Sequence, residues 1–294
     1  MNNGPLLFFG ILATLASSFW TLLLAPQLQI GRQQPVVLES TGQWYPVPRP
    51  GLAQQGAEVY RAQGCVECHT QQVHQKGVSF AVWLADPGTN KAELVEALTQ
   101  LKIPSADAAK LIEQAPVRIL SGLSVVAAQS MASRLTNGDA KAQAVIETLG
   151  PDIERGWGRR ATVTQDYLGD YPVQLGSLRV GPDLANYGTR QTNANLILMH
   201  LHNPQKMMPG SMMPPYRFLF AKRKLKEGEL PSMLGEPGYE ITPTPEAEAL
   251  AAYLMSLKAD VPLPEAPVPT PPAKVVPAGA ASTNVNEAAG APAK

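Results

Sequence analysis

The chain of 294 residues is poor in cysteine, with Cys65 and Cys68 its only two. One pair three positions apart excludes a disulfide framework, and it is too few for a tetrathiolate zinc site. Aromatic residues make up only 6% of the chain, and its 24 Lys and Arg are matched by 24 Asp and Glu. With no net charge, no basic stripe and no interleaved aromatic set, nothing indicates nucleic acid as a partner. No Lys or Arg precedes Arg32, so positive-inside asymmetry gives no orientation at the N-terminus. Large apolar side chains are almost absent after Val261. This Pro/Ala-rich stretch has too little apolar surface to offset its ordering entropy, so residues 260–294 are expected to be a disordered tail.

One long apolar run is present, Leu6 to Leu24, uncharged and set between Pro5 and Pro26. At about 1.5 Å per residue, ~20 residues cross a hydrocarbon core of ~30 Å. A cleaved secretory signal fits less well, because its apolar region is about 7–15 residues long and follows a basic start. Met1-Asn2-Asn3 supplies no such start. The sequence therefore predicts an uncleaved single-pass anchor over residues 5–26 in contact with membrane lipid. Gly10, Thr14, Ser17 and Thr21 form one stripe on it. Residues 27–50 contain Pro35, Pro46, Pro48 and Pro50 and read as an extended linker.

Cys65-Val66-Glu67-Cys68-His69 carries the chemistry. Two thiols at this spacing can each form a thioether to one vinyl group of a haem, and the adjacent histidine becomes the proximal iron ligand. The pattern predicts one covalently attached haem c. A Cys2His2 zinc site using His74, His200 or His202 is arithmetically possible, but the downstream spacing does not match a zinc module. Haem attachment of this kind takes place outside the cytoplasm. The expected topology thus has the N-terminus inside and the remainder on the outer face of an energy-transducing membrane.

Residues Gly56 to Gly64 lead into the motif with helical periodicity. A second helix is predicted from Thr244, an N-cap followed by Glu246 and Glu248, with Leu250, Tyr253, Leu254 and Leu257 on one face. This layout resembles class I cytochromes c, a mainly α fold in which the first and last helices cross beside the haem. Gly181-Pro182-Asp183-Leu184 is similar to that family's Gly-Pro-x-Leu element. The resemblance implies that the Pro182 carbonyl accepts the second ring proton of His69. The distal ligand should follow Pro182, with Met199, His200, His202, Met207, Met208, Met212 and Met213 as candidates. His200 and His202 fall on different helix faces, and are expected at the surface or near haem propionates rather than on iron.

Together the anchor, Tyr60–Gln71, Trp157–Arg160, Leu175–Leu184, His202–Pro204 and Ser211–Leu219 resemble the membrane-anchored mono-haem subunit (subunit II) of cbb3-type cytochrome c oxidases. The resemblance implies Met213 as the axial methionine, with Met212 its nearest rival. Arg159 and Arg160 become candidates for contact with haem propionates or the catalytic subunit, against a plain reading as solvated charge. Tyr216 and Trp157 would pack the haem edge. The implied role is an electron relay with no catalytic site of its own, taking electrons from a donor cytochrome c. The implied partners are the haem–copper catalytic subunit and the other oxidase subunits. The implied location is a bacterial inner membrane with the haem domain periplasmic. Two alternatives are the mono-haem subunit of nitric oxide reductase, and a haem-based sensor or assembly protein.

The chain departs from that pattern between Lys76 and Asp152, where a short loop is expected. Phe80–Leu84 alternates like a strand, Asn90 can cap a helix to Leu101, and Ser105 another. Pro116–Leu120 reads as a strand, Ser124 caps a helix to Leu135, and Ala142–Ile146 closes as a strand. The β-α-α-β-α-β order, with Lys91–Val95, Ala108–Pro116 and Gly122–Ser124, resembles the C-terminal domain of the ribosomal stalk protein. Residues 77–151 are thus expected to be a small inserted α+β domain, making the cytochrome domain discontinuous over 51–76 and 152–259.

Overall fold

The computed structural model describes residues 3–29, 31–38, 41–136, 139–232, 234–235 and 237–272. Helix α1 (Gly4–Phe19) has a proline in its first turn and runs through a π-helical turn at Trp20–Leu24 into α2 (Ala25–Gln29). The helical span Gly4–Gln29, 26 residues with mean hydropathy 1.9, is long and apolar enough to cross a membrane. The π turn has a local cause. Pro26 has no N–H to give and its ring crowds the carbonyl four residues back, so the bond just before it widens to Ala25 N–H→Trp20 O. The hydroxyls of Thr14, Ser17 and Thr21 donate to Gly10 O, Thr14 O and Ser17 O at 2.8, 2.9 and 2.8 Å. Each polar group on that stripe is thereby satisfied within its own helix.

The chain then divides into two compact units. The first comprises Met1–Lys76 and Gly150–Val268. Strands β1 (Val36–Val37) and β2 (Trp44–Tyr45) pair antiparallel with Val36 opposite Tyr45. Helix α3 (Gly51–Ala62) follows. The second unit is built from Gly77–Leu149. In it, β3 (Gly77–Asp86) is flanked by β4 (Val117–Leu123) and β5 (Lys141–Leu149), both antiparallel to it. Helices α4 (Lys91–Gln100), α5 (Ser105–Glu113) and α6 (Val125–Leu135) supply Leu94, Leu98, Ile112, Ala128 and Leu135 to a core shared with Val82 and Leu84. Asn90 and Ser124 cap α4 and α6 by accepting from Glu93 N and Ala127 N. Ser105 does not cap α5; Pro104 holds that position and Ser105 is the first helical residue. The first and last residues of this unit, Gly77 and Leu149, are direct partners in the β3–β5 ladder.

The remainder of the first unit carries α7 (Pro151–Glu154), α8 (Tyr187–Arg190), α9 (Ala194–His202) and α10 (Pro204–Met207), then hairpin β6 (Phe220–Lys224)/β7 (Tyr239–Pro243) and α11 (Pro245–Ser256). Thr244 caps α11 by accepting from Ala247 N, with Pro245 and Glu246 in the first turn, as helix-start chemistry requires. Helices α3 and α11 touch backbone to side chain at Gly56. A Cβ there would fall 1.9 Å from Ala249 O and 2.7 Å from Tyr253 Cβ. One turn on, the rings of Tyr60 and Tyr253 lie 5.3 Å apart. Around them Leu184, Ile197, Leu198, Leu201, Leu219, Ile241, Leu250 and Leu254 close the core.

Two expectations for chain segments need correction. The linker is not a free spacer over its second half. Tyr45 is buried with its hydroxyl donating to Asp166 at 2.6 Å, and Arg49 pairs with Asp170. The tail does not lose structure at residue 260 either. Leu263, Ala266 and Val268 are buried, and a two-way backbone bridge joins Leu263 to Ala266. Three well-spaced apolar side chains among prolines suffice, because proline has already surrendered much of its backbone entropy. Residues 273–294 lie outside the described residues.

Candidate haem site

Helix α3 ends before Gly64, whose φ of +68° turns the chain into a short 3-10 turn at Cys65–Glu67. Left-handed backbone favours glycine, which has no Cβ to clash. His69 N–H and Cys68 N–H both return to Cys65 O, at 3.0 and 3.2 Å. Both thiols are free, Cys65 buried and Cys68 exposed. Burial pushes the Cys65 thiol up to about 11, an effect opposed by the Tyr216 hydroxyl beside it. Burial likewise pushes Tyr216 up to about 12.

His69 Nδ1 lies 2.8 Å from Pro182 O, across 113 positions of sequence. A carbonyl oxygen can only accept, so Nδ1 carries the proton and Nε2 keeps its lone pair for a metal. Burial lowers the His69 pKa, while the Pro182 carbonyl and the Asp183 charge act in the opposite direction. The ring lies directly over Gly181, where a Cβ would stand 2.2 Å from Cε1. Gly181 N–H donates to Cys68 O at 3.0 Å and Leu184 N–H to Thr70 O at 2.8 Å. The Gly181–Leu184 turn is therefore stitched to the strand of chain that carries His69.

The methionine candidates differ in exposure: Met199 and Met213 are half-buried, while Met207, Met208 and Met212 are exposed. Met213 packs against the core cluster that includes Cys65 and Leu219, with Tyr216 also against it, whereas Met212 is 78% exposed. Gln205 Nε2 donates to Met213 O at 2.8 Å and Ser211 Oγ accepts from Met213 N at 3.2 Å, fixing its backbone. Met207 and Met208 are exposed. His202 is not at the surface; it is buried, with its ring edge-on to Phe220 at 5.0 Å. His200 is half-buried, and its pKa is lowered by burial and then by the charge of His69.

Arg160 requires a correction. It is among the largest fully buried side chains, so it is neither solvated surface charge nor free for a propionate. Its guanidinium takes both oxygens of Asp166 at 2.7 and 2.9 Å, together with Val261 O at 2.7 Å and Ala161 O at 2.8 Å. A planar donor fork matched to one carboxylate and two carbonyls is the form in which a buried cation is tolerated. Arg159 is exposed, and its backbone N–H donates to Asp260 at 2.7 Å.

Sequence reasoning misses a second charged cluster altogether. Asp152, Arg179 and Asp183 meet beside Thr70, with both acids buried. Two of its members sit inside Leu175–Leu184, yet nothing in the local pattern says that they are buried rather than solvated.

The donor set fits one haem: two free thiols three apart, an imidazole oriented through Nδ1 with no Cβ beneath it, and the half-buried Met213 packed against the core. Residues 140–237 match the model of a family described as cytochrome C oxidase, mono-heme subunit/FixO. That stretch contains Pro182 and Met213 and begins well beyond Cys65–His69. It supports a single-haem subunit of a cytochrome c oxidase. No curated protein matches the chain.

Proposed function

We propose that this chain is a membrane-anchored c-type cytochrome that passes electrons from a donor cytochrome c to the oxygen-reducing haem–copper subunit of a cbb3-type oxidase. Cys65 and Cys68 would hold the haem through thioethers, with His69 and Met213 as axial ligands. When bound, the group supplies a one-electron ferric/ferrous couple whose potential a thioether ligand raises. His69 is kept in one tautomer by donating to Pro182, and Gly181 leaves the room its ring needs. Met213, backbone-fixed by Gln205 and Ser211 and packed against the core, would present its sulfur to the iron. Helix α1 with its continuation to Gln29 would anchor the chain in a bacterial inner membrane, N-terminus cytoplasmic and haem domain periplasmic. Residues 77–149 are an added module on that cytochrome, to be read as a docking or spacer element.

One observation carries this reading. The hydrogen bond from His69 to Pro182 joins a haem-attachment motif outside the family match to the orienting carbonyl inside it. Two separate signals thus converge on one imidazole. The test is purification from membranes of a tagged chain, alone and with Cys65→Ser/Cys68→Ser. The wild type should retain haem through denaturing electrophoresis and co-purify with a haem–copper subunit, and the variant should lose the covalent haem. A wild-type chain with no covalently bound haem would overturn the proposal.

A further inference from the structure

The stretch that leaves His69, Thr70 to His74, is held by charge. Thr70 Oγ1 accepts from Arg179 Nε at 3.0 Å and donates to Asp183 Oδ2 at 2.6 Å. Gln72 N–H donates to the same Asp183 oxygen at 2.7 Å, and Gln72 O accepts from Arg179. His74 N–H donates to Asp152 Oδ2 at 2.8 Å, and Asp152 takes both its oxygens to Arg179 Nη1, at 2.7 and 2.8 Å. Every second residue from 70 to 74 is therefore fixed by one guanidinium and two carboxylates. The Trp157 ring stands 5.8 Å from the Arg179 guanidinium carbon and walls the cluster.

Two buried carboxylates face one guanidinium that reaches both. The side chains of Asp152 and Asp183 are 3% and 0% exposed, and among the described residues Arg179 is the cation that reaches both, 3.8 Å from Asp183. Arg155 is 3.9 Å from Asp152 on a side chain 57% exposed, where water screens it. Arg190 donates to the Asp183 main-chain carbonyl rather than to its carboxylate, and the Asp183 charge acts on it from there. Asp183 is also the residue after Pro182, whose oxygen orients His69.

We propose that Arg179 is a positioning residue for the proximal side of the haem, holding the 70–74 path and offsetting the Asp152 and Asp183 charges beside His69 so that this triad sets the redox potential. The inference rests on the haem reading above. The physical reason is Coulombic: ferric iron carries one more positive charge than ferrous, so nearby anions favour the ferric state and nearby cations the ferrous. In a poorly solvated site such charges are weakly screened. Lysine at 179 would keep the cation but lose the fork that reaches two acids, a hydroxyl and a carbonyl at once.

The test is redox titration of the full-length, haem-loaded chain extracted from membranes, followed on the reduced absorption band. Arg179→Gln should lower the midpoint potential and Asp183→Asn should raise it. Arg179→Lys should recover most of the first shift while leaving the protein easier to unfold by guanidinium. A purely structural role would loosen the loop and admit water in every variant, moving all potentials the same way. Opposite signs therefore separate the two. Should Asp183→Asn fail to take up haem, Asp152→Asn removes an anion from the same guanidinium and must also raise the potential. Shifts of one sign throughout, or no shift, would overturn the proposal. A wild-type chain without covalent haem would instead refute the haem reading itself.

Discussion

Pro182 O and His69 Nδ1 lie 2.8 Å apart although 113 residues separate them. The imidazole is fixed from behind by this bond and from below by Gly181, so its only remaining ring nitrogen faces away. A backbone carbonyl that accepts a ring proton in this way raises the basicity of the imidazole and fixes its tautomer.

Gly181→Ala tests the lower wall. The added methyl would stand 2.2 Å from His69 Cε1, so the ring or the turn must move, at about 1–3 kcal/mol for overpacking of this kind. We expect covalent haem to persist with a weakened low-spin signature in electron paramagnetic resonance. An unchanged spectrum would show that the turn yields freely.

Met213→Ala should abolish the near-infrared sulfur-to-iron charge-transfer band of the oxidised protein, and Met212→Ala should leave it. The basis is that Met213 packs against the core cluster while Met212 is 78% exposed. Loss of the band only in the Met212 variant would reverse the assignment.

Arg160→Met should act on stability and not on the haem. Its ion pair with Asp166 is enclosed, the two side chains being 0% and 2% exposed. Leaving the Asp166 charge without its partner costs about 3–5 kcal/mol. The urea midpoint should fall steeply while the midpoint potential stays near wild type.

Stability should decline at alkaline pH. Burial pushes Tyr167 up to about 12, with its hydroxyl donating to Gln71 O at 2.6 Å, and it raises Tyr45, Tyr60 and Tyr253 as well. A group whose folded pKa is raised contributes stability that is present below its unfolded value and lost as pH climbs through the folded one. Unfolded tyrosine ionises at about pH 10, so the guanidinium midpoint should be lower at about pH 11 than at about pH 8. Equal midpoints would mean that these phenols are not protected.

Replacement of residues 78–148 by a short Gly/Ser linker should leave covalent haem and its reduced spectrum intact. Gly77 and Leu149 are ladder partners, so a few residues close the gap, and Asp152 is retained. We expect complex assembly or donor affinity to suffer instead. Failure to attach haem would place the segment in the cytochrome core.

Much of the local structure was legible because it depends on neighbours in sequence. An uncharged run bounded by prolines has one low-energy answer in lipid, and Thr244, Asn90 and Ser124 cap because their oxygens need only reach an N–H three residues on. Ser105 does not cap, since Pro104, whose ring fixes φ, takes that place. The linker and the start of the tail were misread for one reason: composition measures how much apolar surface a segment has, not whether a surface elsewhere receives it. Tyr45 finds Asp166, and Leu263 finds a core, through contacts that no window of sequence contains.

The sequence by itself determined the chemistry available: two thiols and an imidazole in the haem-attachment spacing, a proline carbonyl within a matching turn, and a short set of thioethers. Tertiary structure alone decided which of these act together. It packed Met213 against the core and left Met212 exposed, put Arg160 in the interior, and gathered Asp152, Arg179 and Asp183 around Thr70. Thioether and guanidinium carry the same donors at any position along a chain. What differs is burial, which removes water as the competing partner, and burial is settled only when distant segments pack.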